Sequence, residues 1–240
     1  MSKVELKLDW CTHEAAKYAV EKWHYSQKMP VNKTAKIGVW ENNRFIGAVI
    51  YSCGSAGVSS YGKRFGLRLN EVCELARVAL DKHQSSVTQI VAISLKVLKK
   101  GMPNLRLVVS YADPAQGHIG GIYQGGNWIY VGRSSKDVAY KDRNGKVWHS
   151  RSVSETGYKV HCGVKTRCPK PSGMTAIELE PKYKYLMPLD AEIRKQINII
   201  SQAYPKRVTS IDSDASGNQS EEGGASPTVT LHKSKKVSNG

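Results

Sequence analysis

The sequence predicts a mixed α/β (α+β) fold, a mainly antiparallel sheet flanked by helices, and three observations carry that reading. Stretches with the two-residue alternation of strands take turns with stretches of helical spacing from residue 1 to about 132. Two of the strand patterns flank Glu41-Asn42-Asn43, which is turn chemistry, so they read as a hairpin. A chain of 240 residues with 40% hydrophobic residues is also long enough to bury a sizeable core.

The elements follow in order. Lys3 to Leu8 alternates as a strand does, and Thr12 to Trp23 has helical spacing, with Thr12 as N-cap and Glu14 in the first turn. Ala35–Trp40 and Arg44–Tyr51 are the two strands of the hairpin. Glu71 to Leu80 reads as a further strand; simple alternation puts Glu74, Ala76 and Val78 on one face and Cys73, Leu75 and Arg77 on the other. Ser86 to Lys100 is an amphipathic helix whose stripe is Val87, Ile90, Val91, Ser94, Leu95 and Leu98. Leu105 to Ser110 is a buried strand, 118–126 a short glycine-rich helix, and Trp128 to Val131 a last short strand.

Composition divides the chain into a mixed α/β core over 1–132, a basic subdomain over 133–205 that completes it, and a tail over 206–240. The tail holds almost no large apolar residue and is predicted to be disordered. Residues 133–185 carry twelve Lys and Arg against five Asp and Glu, with Trp148, His149, Tyr158, Tyr183 and Tyr185 interleaved. Asn144-Gly145 marks the tip of a hairpin there.

The whole chain has 36 Lys and Arg against 20 Asp and Glu, a net charge of +16. Such a surplus points to a polyanion, because cations set against phosphates release condensed counterions. Arg133, Arg143, Lys146, Arg151, Lys182 and Lys184 are the expected contacts to double-stranded DNA. No apolar run approaches the roughly 18 residues of a membrane span, and Met1 to Lys7 lacks a signal-peptide core. Five cysteines with no CxxC pair suit a reducing compartment, so the expectation is a cytoplasmic protein with no membrane partner. His161, Cys162 and Cys168 match no zinc spacing well. P-loop, GxGxxG, GxSxG and Asp-Pro-Pro-Tyr signatures are absent.

Three clusters could carry chemistry. In Ser110 to Trp128 a hydrophobic strand delivers Asp113 at its C-terminal end, where open α/β sheets place ligands. A short helix follows with Tyr123, and Gly120 and Gly121 suggest close approach of the backbone to a neighbour or ligand. His24, Tyr25 and Ser26 lie where the first helix must end, a junction well placed to face a cleft. Glu74 and Arg77, on opposite faces of one strand, each need a separate partner: a hydroxyl or backbone amide for Glu74, a ligand phosphate for Arg77.

Ser110-Tyr111-Ala112-Asp113, Gly117-His118, Ile122-Tyr123-Gln124 and Asn127-Trp128-Ile129-Tyr130-Val131-Gly132 form an ordered run. With Trp23-His24-Tyr25-Ser26, Glu74-Leu75-Ala76-Arg77 and Lys182-Tyr183-Lys184-Tyr185, it resembles the Mom family of phage DNA-modification proteins over roughly residues 10 to 188. The resemblance implies a fold related to the GNAT-type N-acetyltransferases, in which a tyrosine at the place of Tyr123 often serves as general acid. It also implies conversion of adenine in DNA to N6-carbamoylmethyladenine, which shields phage DNA from host restriction enzymes. The acetyltransferase pyrophosphate loop is missing, Asp81-Lys82-His83-Gln84-Ser85-Ser86 standing in its place. Amides at Ser85 and Ser86 could still hold a phosphate.

On this reading the base is flipped into a pocket. His24 or Asp113 accepts an N6 proton and Tyr123 protonates the leaving group. Tyr25 and Asn127 orient adenine; Ser26, Glu74, Ser110, His118 and Trp128 line the pocket. The donor is an acyl-CoA such as acetyl-CoA, or glycyl-tRNA, which makes tRNA a second partner. A metal-dependent radical route, with iron on His24 and Asp113, is not shown by the residues. Two other classes stay open: an acyl-CoA-dependent N-acetyltransferase acting on a small amine or protein, and a non-catalytic DNA-binding module.

Overall fold

A computed structural model describes residues 4–161 and 163–206. Apart from Lys206, the expected tail lies outside the described residues, as does Cys162 of the weak zinc set.

Local sequence sets the early elements as expected. β1 (Leu6–Trp10) leads to α1 (His13–Trp23), where the Thr12 hydroxyl accepts from the Ala15 amide and caps the helix. β2 (Thr34–Glu41) and β3 (Arg44–Ser52) form the hairpin, with Asn42 and Asn43 at φ 48° and 62°, the left-handed pair a tight two-residue turn requires. α2 (Ala56–Arg64) follows, unmarked by any clear apolar stripe and not foreseen. β4 (Val72–Leu80) and α3 (Val87–Gly101), capped by Ser86, lead into β5 (Leu107–Ala112). α3 is the crossover that the parallel β4–β5 pair needs.

The expected glycine-rich helix over 118–126 is shorter: a 3-10 turn at Pro114–Gln116, then α4 (Gly121–Gly125). β6 (Ile129–Arg133) ends this half. The basic segment supplies β7 (Asp137–Lys141), β8 (Val147–His149), β9 (Tyr158–His161), β10 (Val164–Arg167) and β11 (Thr175–Leu179). β12 (Tyr183–Pro188) and α5 (Ala191–Asn198) complete the described chain. The main sheet runs β1-β2-β3-β4-β5-β12-β6, every pair antiparallel except β4–β5, so the mixed, mainly antiparallel architecture read from sequence is the one observed. β12 inserts between β5 and β6, while β11-β7-β8 and β10-β9 form two small separate sheets.

Helices cover both faces. Ile90, Val91, Leu95 and Leu98 of α3 and Tyr123 of α4 pack with Val49, Leu75, Val108 and Tyr185 on one face. On the other, α1 packs Ala16, Ala19 and Val20 against Ala48, Ile50 and Ala79, and α2 and α5 cover Val72, Leu107, Val109 and Leu186.

One expectation about β4 is corrected. Tyr51 pairs with Leu75 and Ile50 with Arg77, leaving Ala76 as the extra residue of a β-bulge. The bulge shifts the alternation by one, so Arg77 joins Glu74 on the α1-covered face instead of pointing away from it. Arg77 then donates to the backbone carbonyls of Lys28 and Ala76 at 3.2 and 2.7 Å.

Candidate active site

The pairing of β4 with β5 ends at Leu75–Ser110, although β4 continues along β3 to Leu80 and β5 along β12 to Ala112. The two strands part at the Ala76 bulge, and the fork they leave lets groups from both faces of the sheet approach one another. Ser110, fully buried, spans its base: its hydroxyl donates to the Leu75 carbonyl at 2.9 Å and lies 2.8 Å from the Tyr123 phenol oxygen. One hydroxyl proton is thus shared between two oxygens, and it can swing to the phenol oxygen when charge develops there.

Tyr123 is 7% exposed and packs against Trp128 and Tyr185 at ring distances of 5.0 and 5.1 Å. Burial pushes its phenol up to about 12; the Ser110 hydroxyl draws it back down, and Tyr25, Glu74 and Tyr185 raise it. The phenol is therefore protonated at neutral pH, with the Glu74 carboxylate as its charged neighbour.

The end of α1 supplies the other side. The Ser26 amide donates to His24 Nδ1 at 3.1 Å and the Ser26 hydroxyl lies 2.8 Å from the same nitrogen. Nδ1 accepts, so the ring proton resides on Nε2. Burial lowers the imidazole to about 4, helped by Arg77 and His118, which keeps it neutral. Tyr25, 56% exposed, lies over His24 at 4.3 Å and 6.3 Å from the His118 ring. Glu74 makes no hydrogen bond or ion pair among the described residues.

Other candidates are placed elsewhere. Trp128, 1% exposed, is packing behind Tyr123 and offers no surface to a substrate. Ser110 is likewise sealed and positions the phenol. Asn127 is an exposed residue in the left-handed region, φ 58°, in the turn after α4. Asp113 is taken up twice: one carboxylate oxygen caps the 3-10 turn through the Ala115 amide at 3.1 Å, the other pairs with Lys182 at 2.9 Å. A metal held by His24 and Asp113 does not fit that arrangement, and among the described residues no three His, Cys, Asp or Glu side chains are grouped around one point.

The expected donor-phosphate site is corrected too. Glu41, 6% exposed at the end of β2, puts its carboxylate at the loop before α3, where it accepts from the Gln84 amide at 3.0 Å and the Ser85 amide at 2.7 Å. Burial raises this carboxyl, but the Ser85 hydroxyl and the Gln84 and Ser85 amides outweigh that and hold it below its ordinary value. Ser86 is committed as the helix cap, and Arg77 binds carbonyls. The Glu41 carboxylate thus fills the part of this amide cradle formed by Gln84 and Ser85, one of the two amides expected to hold a phosphate. No local signal marks this role, since Glu41 reads as a turn residue.

One positioning residue was missed, Tyr185, which packs against the expected Gly120. Gly120 sits at φ 88°, and a Cβ there would come within 2.3 Å of the Tyr185 ring. Tyr185 donates to the Ile119 carbonyl at 2.5 Å and accepts from Gln124 at 3.1 Å, locking α4 and its tyrosine onto β12. The expected close approach is thus found at Gly120, whereas Gly121 faces open space.

Of the six expected DNA-contact cations, two are engaged and a third is half-buried. Arg133 pairs with Glu180 at 2.6 Å and lies over Tyr183, Lys182 binds Asp113, and Lys184 is half-buried, its ammonium lowered by burial and by Arg64. Arg143, Lys146 and Arg151 are exposed; Lys146 stacks 3.9 Å over Trp148, whose indole donates to Asp142 at the base of the expected hairpin turn. Gly145 takes its tip at φ 82°.

Residues 5–206 match the model of the Mom protein family. The methylcarbamoylase Mom of Escherichia phage Mu is 25% identical over 209 residues, covering 84% of this chain and 84% of that protein. Among solved structures, a Bacillus subtilis acetyltransferase in complex with CoA is similar at 11% identity and a TM-score of 0.42, over 78% of this chain and 100% of its own. A protein of Acinetobacter baylyi ADP1, assigned by inference as an acetyltransferase, is similar at 10% identity and a TM-score of 0.42, over 80% and 97%.

Proposed function

This chain belongs to the Mom protein family, and from that premise we propose that it is a transferase that modifies phage DNA. Its product is N6-carbamoylmethyladenine, formed on a base extruded into the β4–β5 fork and protecting the DNA from host restriction. What supports this reading is a buried, protonated phenol held by Ser110 at the base of the fork and raised by Tyr25 and Glu74, with a neutral His24 packed beside the exposed Tyr25.

The adenine amino group is a weak nucleophile because its lone pair is delocalised into the ring. Tyr25, packed at a tilt against His24 and open to solvent, is the platform on which an extruded purine would rest. His24 presents Nε2–H as a donor to the acyl oxygen or the purine edge, and Glu74 takes the proton that N6 loses on attack. Asp113 is occupied by Lys182 and His24 Nδ1 by Ser26, so the proton acceptor moves from those two to Glu74. Tyr123 protonates the departing oxygen, and the Ser110 hydroxyl turns from Leu75 to steady the phenolate.

Simple acyl transfer leaves an amide, not a carbamoylmethyl group. A glycyl ester accounts for the product. Attack by N6 on its carbonyl forms an N6-glycyl amide and releases the alcohol, which takes the Tyr123 proton. The free glycyl amine then attacks adenine C6 through a five-membered ring and the original C6–N6 bond breaks. Its nitrogen departs as the terminal amide, leaving NH–CH2–CO–NH2 on C6. The occupied cradle before α3 favours glycyl-tRNA over a CoA thioester as donor.

Nucleosides from DNA made in cells expressing the chain, resolved by mass spectrometry, test the reading: adenosine should carry the extra mass of carbamoylmethyl. With purified protein, label from glycyl-tRNA should reach adenine; transfer from an acyl-CoA alone would replace the donor, and unmodified DNA would end the proposal.

A further inference from the structure

Part of the basic segment balances its charge internally: Arg133 with Glu180, Lys136 with Glu178 and Lys182 with Asp113. The β9–β10 hairpin does not. Between Thr156 and Ile177 the sequence has Lys159, Lys165, Arg167 and Lys170 and no acidic residue. Among the described residues the two strands pair only with each other, through four register pairs from Val164–His161 to Arg167–Tyr158. All four residues of β10 are exposed, and so are Tyr158 at 46%, Val160 at 69% and Val164 at 64%.

The register makes one face of this ribbon amphipathic. Tyr158 stands opposite Arg167 and Val160 opposite Lys165, with the Lys165 ammonium 4.5 Å from the centre of the Tyr158 ring. Bare two-stranded hairpins are marginal in water, and an exposed apolar stripe on one has a cost that a partner would remove. Its base is held, since the Cys168 amide donates to Gly157 and the Ser154 amide to Pro169 at 2.9 and 3.0 Å. The ribbon is therefore tethered at one end. Four residues of strand reach about 13 Å, and the major groove of B-DNA, about 12 Å wide and 8.5 Å deep, admits a two-stranded ribbon.

We propose that the β9–β10 ribbon enters the major groove of duplex DNA beside the target adenine. Lys165 and Arg167 meet the phosphates at the groove edge, and Tyr158 and Val160 press on base edges such as thymine methyls. Unbalanced positive charge along one side of an apolar strip is complementary to a groove whose floor of base edges is walled by phosphates, and an acidic protein surface offers no such walls. This rests on the DNA reading above, and the test separates the two.

The full-length chain and its Lys165→Ser/Arg167→Ser and Tyr158→Ser/Val160→Ser variants are titrated with a synthetic duplex containing adenine, across a range of salt. All four positions are on the surface, so unchanged thermal midpoints are expected. The cation pair should lose at least tenfold in affinity, with the salt slope falling by about two, roughly 0.9 for each phosphate contact. The apolar pair should lose affinity with its slope kept. Guanine N7 protection from dimethyl sulfate, a major-groove readout, should be present with the parent chain and absent with both variants. Affinity, slope and protection all unchanged in the variants would overturn the ribbon while leaving a DNA-modifying enzyme. A parent chain that neither binds nor modifies duplex DNA would remove both, and that result appears before any variant is made.

Discussion

Replacing Tyr123 by Phe separates a catalytic phenol from a buried structural one by magnitude. The ring and its contacts with Trp128 and Tyr185 are kept, and Ser110 retains its bond to Leu75, so one neutral hydrogen bond is lost. Such a bond contributes about 1 kcal/mol, which lowers the thermal midpoint of a domain this size by roughly 2–4 °C. Against a stability of about 5–15 kcal/mol the folded population hardly changes. A general acid is worth about 10²- to 10⁴-fold, near 3–5.5 kcal/mol of barrier. The expectation is a denaturant midpoint close to the parent's and modified adenine reduced at least 100-fold, read by nucleoside mass spectrometry. Ser110→Ala should fall between, because the phenolate then lacks its donor. A Tyr123→Phe protein retaining a tenth or more of the parent rate would refute the assignment, and so would a midpoint loss beyond 10 °C with proportionate inactivity.

His24→Gln should keep part of the activity that His24→Ala loses, because the amide restores a donor near Nε2; equal loss would indicate a base instead. The His24 pKa falls from 6.5 to about 4 on folding, so its contribution to stability is complete above pH 6.5 and declines as pH drops toward 4. Unfolding curves for His24→Gln should lack that decline. Glu41→Ala strips two amides of a charged acceptor and should cost about 2–4 kcal/mol by chemical denaturation; CoA should not raise the thermal midpoint of the parent chain, since its cradle is filled. Gly120→Ala combines a positive φ with a collision against Tyr185, and should lower both the midpoint by several degrees and the modification rate. Asp113→Asn should lower stability through the lost Lys182 pair by under about 1 kcal/mol and leave adenine modification within threefold of the parent.

Sequence alone determined what depends on near neighbours. Thr12 and Ser86 cap their helices, the Asn42-Asn43 turn closes its hairpin and the α3 stripe faces the core, because each rests on contacts within a few residues. The clusters around His24, Glu74 and Tyr123 were also visible, as polar residues at element ends. Tertiary structure alone decided their roles. The face of Arg77 depends on a bulge set by pairing with β3; Asp113 is spent on Lys182, a strand brought in from 69 residues later; and Glu41 reaches amides 43 residues away. β12 enters the sheet beside β5 with no local mark of its place. Backbone propensity and hydrophobic period act over one or two turns of chain, whereas the fork, its hydrogen-bond relay and the filled cradle exist only where distant strands have settled their register.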